Sequence, residues 1–128
     1  MSCKEYLSRA YYINRRINTS MDRVESLYEM LREIPNPLSS SGYPMQPASI
    51  LKEINQLDVE IHDDIDLLID VKKDIAHVIK RLVDVDQQIV LELRYLCFKS
   101  WNFISDGFRY SRKRVLRIHS DALQNLLL

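Results

Sequence analysis

The chain has 128 residues, 46% of them apolar, and its 18 basic and 18 acidic side chains cancel to a formal charge of zero. That is apolar material enough for one domain or a small pair of subdomains, and it excludes a disordered polyelectrolyte. With only two glycines, and with Leu, Ile, Lys, Arg and Glu abundant, helices are favoured over tight hairpins, so the expected class is all-α.

Ser2 followed by Glu5 is a capping-box pattern and opens the first helix. From it Ala10, Ile13, Ile17, Met21, Val24, Leu27, Leu31 and Ile34 recur at helical spacing and form one apolar stripe, which Pro35 and Pro37 end. The stretch 35–48 carries all four prolines and reads as a flexible connection without a helix of its own. Beyond it Ile50, Ile54, Leu57, Ile61, Ile65, Leu68, Val71, Ile75, Val78 and Leu82 repeat the spacing without Gly or Pro. This predicts a helix of roughly 33 residues, about 50 Å long at its rise per residue.

Neither helix is stable alone with its stripe in water, so the two are expected to form an antiparallel, coiled-coil-like hairpin arm over 1–84. Such an arm buries little area, and homodimerisation or a higher oligomer is the expected remedy. Asp84 followed by Gln87 marks a new helix start, and with it a C-terminal unit over 85–128. Its helices are predicted at 86–97, 100–107 and 111–126.

Charge is unevenly spread: +1 over 1–34, −4 over 48–84 and +3 over 85–128. The acidic middle repels phosphate. Asp63, Asp66, Asp70 and Asp74 share a helix face, but a solvated surface explains them better than a metal site. Cys3 and Cys97 have no ligand spacing and read as free thiols of a reducing cytoplasm. No apolar run is long enough to span a membrane, and no export signal, phosphate loop, GxSxG or HExxH occurs, so neither enzyme chemistry nor a cofactor is expected.

The C-terminal unit concentrates five basic side chains between Arg109 and Arg117. Trp101, Ile104 and Phe108 form one apolar face; Val115, Ile118 and Ala122 form a second after a break at which Ser111 is a suitable N-cap. Short helix, turn and longer basic helix is the helix-turn-helix plan. If the second face is turned to the core, Arg112, Lys113, Arg114 and Arg117 point outward, where such helices meet the major groove. Bases in the first turn oppose the helix dipole by a few tenths of a kcal/mol each, and a phosphate backbone is the natural counter-charge. The candidate DNA contacts are Arg109, Tyr110, Ser111, Arg112, Lys113, Arg114 and Arg117.

The segment "LELRYLCFKSWNFISDGFRYSRKRVLRIHSDAL" resembles the promoter-reading C-terminal region of sigma-70-type factors at Leu91, Leu93, Arg94, Tyr95, Trp101, Ile104, Tyr110, Ser111, Val115, Arg117, His119, Ala122 and Leu123. The whole chain is similar to small phage and prophage proteins of Gram-positive bacteria related to the ArpU and RinA types of late transcriptional regulator. That resemblance implies a regulator, an activator of phage genes, acting on double-stranded DNA in the bacterial cytoplasm and touching RNA polymerase. The alternative is an interaction protein that binds polymerase, a sigma factor or a host protein through its arm, with little DNA binding.

The sequence departs from the pattern twice. Arg109 stands where the turn usually has glycine, so either Arg109 is left-handed or the turn is reshaped around Gly107. Ser105 replaces a small alanine and brings a hydroxyl that needs a partner. Of the remaining residues, Trp101, Tyr95 and Cys97 read as core, His119 as a surface or packing residue, and Tyr6, Tyr11, Tyr12 and Tyr28 as a half-buried or contact surface.

Overall fold

The computed structural model describes residues 1–33 and 47–126, and all regular structure within them is helical. The elements are α1 (Cys3–Glu33), α2 (Pro47–Ile79), α3 (Val85–Leu91) continued by a π-helical turn (Glu92–Leu96), α4 (Trp101–Phe108) and α5 (Arg112–Asn125). Each start has a local cause. The Glu5 amide donates to Ser2 Oγ at 3.1 Å, and Glu5 Oε2 accepts from the Ser2 amide at 3.4 Å, completing the capping box. Pro47 opens α2, where an absent N–H leaves no helical bond unmade. Asp84 caps α3 through the Gln87 amide at 3.0 Å.

Several expectations shift. Pro47 and Ala48 belong to α2, so the helix-free connection ends before them; the rest of it, and Ile34, lie outside the described residues. Regular α2 ends at Ile79, and Leu82 is buried from the turn that follows. Met21 is 47% exposed and leaves the apolar stripe. The helix predicted to run to 97 instead widens into a π turn at Glu92–Leu96. That places Cys97 on the surface rather than in the core.

The chain forms two compact units, residues 14–67 and residues 1–13 with 68–128, a division that differs from the break expected at 84/85. In the smaller, Ile17 and Ser20 of α1 and Ile50, Ile54, Leu57 and Ile61 of α2 are buried. Arg16 binds Asp64 with both ends of its guanidinium, at 2.9 and 2.6 Å, and Arg23 meets Glu53 at 3.4 Å. The partners advance along α1 as they retreat along α2, as an antiparallel pair requires.

In the larger unit Leu7 and Ala10 of α1 and Val71, Ile75, Val78 and Ile79 of α2 share one core with Leu82, Leu91, Tyr95, Ala122 and Leu126. The start of α1 and the end of α2 are thus built into the same core as the C-terminal helices. A second cluster joins Val90, Ile104 and Val115, flanked by Leu93, Trp101, Phe108, Tyr110 and Ile118. It clamps α3, α4 and α5 together, each fully buried Val or Ile contributing about 1.5–3 kcal/mol.

Candidate nucleic-acid interface

Three residues, Arg109, Tyr110 and Ser111, join α4 to α5. Arg109 takes the left-handed conformation, φ 58° and ψ 34°, and ends α4. Its amide donates to Asp106 O at 3.2 Å and the Tyr110 amide to Ser105 O at 3.2 Å, the pair of bonds that closes a Schellman motif. Of the two turns open to the sequence, the chain adopts the one strained at Arg109, at about 1 kcal/mol; Gly107 is an ordinary helical residue with free space where a Cβ would stand. The Ser105 hydroxyl finds its partner within α4, donating to Trp101 O at 2.8 Å.

Ser111 caps α5, its Oγ accepting from the Arg114 amide at 3.2 Å. Val115 and Ala122 are fully buried and Ile118 packs beside the second cluster, which fixes the rotation of the helix. At 100° per residue the row opposite Val115 holds Lys113, Arg117, Ser120 and Gln124, all exposed. Arg112 and Arg114 are exposed on either flank. Among the described residues no carboxylate forms an ion pair with Arg112, Lys113, Arg114 or Arg117.

The candidate residues therefore divide by role. Arg112, Lys113 and Arg117 are exposed cations on α5. Arg114 is held over the Tyr110 ring, 3.7 Å from its centroid, which aims the guanidinium and limits its reach. Tyr110 is half-buried: it stacks on Phe108 at 5.2 Å and its hydroxyl donates to Asp86 at 3.3 Å, so it acts first as a fixed post for Arg114. Ser111 is engaged as a cap, and Arg109 is an exposed cation at the turn. Ser120 and Gln124 escaped the sequence reading, which followed charge; helical phase alone would have found them.

His119 points inward. Its Nε2 lies 2.7 Å from the Tyr95 hydroxyl, its ring stacks on Tyr95 at 5.7 Å and meets Trp101 edge-on at 4.8 Å. Burial, then the nearby charges of Lys4 and Arg94, lower its pKa to about 4, while burial raises that of Tyr95. The pair is thus a neutral imidazole and a protonated phenol, and each satisfies the other's polar atom. The phase could have shown this, since His119 sits four residues after the buried Val115.

Comparison with known protein families, with characterised proteins and with solved structures gives no match.

Proposed function

We propose that the chain is a sequence-specific DNA-binding transcriptional regulator whose helix α5 enters the major groove. The observation that carries this reading is the unpaired basic surface of α5, set by a buried stripe and presented by a capped turn. Arg112 and Arg117 offer bidentate donors to guanine, Lys113 a point charge to phosphate, and Ser120 and Gln124 neutral donors and acceptors farther along. The free amides at the start of α5 add an attraction for phosphate. The resemblance to sigma-70-type promoter readers and to phage late regulators supports the same role and adds RNA polymerase as a partner. The acidic stretch of α2 is unsuited to DNA and leaves recognition to the C-terminal helices.

A second reading, protein interaction through the arm, draws on the smaller unit, where Met21, Tyr28 and Met30 of α1 are exposed. There a second copy of the chain, or another protein, finds apolar and aromatic surface. Selection from a random duplex library followed by binding of the enriched fragment separates the two. The first reading expects an enriched motif that the double variant Lys113→Ala/Arg117→Ala no longer binds; the second expects no motif at all.

A further inference from the structure

A cavity of about 420 Å³, within the range of small-molecule sites, opens in the larger unit. Its walls include Lys4 and Tyr11 of α1, Arg94 and Tyr95 of the π turn, Phe98 just after it and Trp101 at the start of α4. Both charged groups lining it are cations, and no carboxylate is among the lining residues.

The walls are held in place before any ligand arrives. The Arg94 guanidinium sits 4.5 Å from the Trp101 centroid while Nη1 donates to Lys99 O at 3.0 Å. Tyr11 meets Phe98 edge-on at 5.9 Å, and Lys72 covers the Phe98 ring at 4.8 Å. Phe98 itself has φ 58°, a conformation that a bulky residue adopts only where its surroundings hold it. It ends the π turn as Arg109 ends α4, the Lys99 amide donating to Leu93 O at 2.9 Å, and so fixes where the Phe98 ring stands. Behind the cavity the Tyr95 hydroxyl is already taken by His119, whose low basicity, after burial, reflects the positive potential of Lys4 and Arg94.

An acidic group meets two cations here with no carboxylate among the lining residues, and a flat ring covers aromatic wall that an inorganic anion would leave wet. We propose that this cavity binds a small planar aromatic anion, its ring against Tyr11, Phe98 and Trp101 and its acidic group at Lys4 and Arg94. The site stands apart from DNA reading and is tested without DNA.

The full chain is titrated with 2-naphthoate and with adenosine monophosphate, which separate a carboxylate from a phosphate source, and with neutral 2-naphthamide and inorganic phosphate as controls. Calorimetry reads affinity, and the indole N–H resonance of Trp101, the one tryptophan of the chain, reports the place. At least one aromatic anion is expected to saturate a single site and to shift Trp101, at least about tenfold tighter than either control. Lys4→Gln, at an exposed position, is expected to weaken it at least about threefold, and Arg94→Gln about tenfold, with helicity unchanged by circular dichroism. Failure of both anions to saturate, equal binding of the neutral amide, an unmoved Trp101 signal, or unchanged affinity in the well-folded Lys4→Gln protein would each overturn the proposal.

Discussion

The two compact units use the same kind of helix to different ends. In residues 14–67 two stripes face each other, Val24, Leu27 and Leu31 are only half-buried, and the exposed Arg23–Glu53 pair adds little. In residues 1–13 with 68–128 the two long helices are joined by α3, α4 and α5, and the core is enclosed from several directions. A helix packed on one side only keeps a surface that invites a partner. A helix packed against two neighbours has its rotation fixed, and a fixed rotation is what lets α5 present a defined row of side chains.

The largest effect expected from this contrast is on packing. Ile104→Ala removes a fully buried side chain from the cluster that clamps α3, α4 and α5, and urea unfolding is expected to show a loss of about 2–5 kcal/mol. Val24→Ala, at a half-buried position of the smaller unit, is expected to cost well under half as much. Equal losses would erase the distinction between the units.

Next comes the buried histidine. Its folded pKa of about 4 lies below the ordinary 6.5, so the unfolded chain binds more protons between those values. Its contribution is therefore complete above about pH 6.5, lost as pH falls toward 4, and flat below. With allowance for solvent screening this amounts to about 1–3 kcal/mol. Urea midpoints of the parent and of His119→Phe at pH 7 and pH 4.5 check it: the parent should lose more than the variant on acidification, and parallel losses would contradict the burial argument.

The turn gives a matched pair of smaller effects. Ser111→Ala removes the cap of α5 and should destabilise by about 1 kcal/mol, whereas Arg109→Gly relieves a left-handed arginine and should stabilise by about as much. If the glycine variant were the less stable, Arg109 would be making contacts that matter more than its backbone strain. The smallest effect belongs to the other unit. A double-mutant cycle on Arg16 and Asp64 should give a coupling below about 1 kcal/mol that shrinks with salt, and a larger, salt-insensitive value would show the pair to be shielded.

Much of this was legible from local chemistry. Ser2 with Glu5, Asp84 with Gln87, and Ser111 are helix starts because a side-chain oxygen can reach a free amide, a relation contained within four residues. The all-helical class followed from two glycines and two long apolar periods. Other features depend on contacts that periodicity does not carry. The π turn at Glu92–Leu96 adds a residue to the helical cycle and so turns Cys97 outward, with no proline or glycine to announce it. Leu7 shares a core with Leu126, which no local pattern can state, and this is why the compact units cut across the long helices. Within the candidate interface, the outward set on α5 was legible as charge. The burial of His119 was left open, because residue type allows a surface or a packing role and only its phase beside Val115 decides between them.

The decisive measurement is the salt dependence of binding to a selected duplex, followed by fluorescence anisotropy for the parent and for Lys113→Ala/Arg117→Ala. The parent should prefer the selected duplex to a scrambled one, and its log affinity should fall with log salt at a slope of about −3 to −4, as for about four neutralised phosphates. The double variant, with its fold intact, should lose that preference through Arg117 and flatten the slope by about one through Lys113. Equal affinity of parent and variant for the two duplexes, at every salt concentration, would contradict DNA reading by α5.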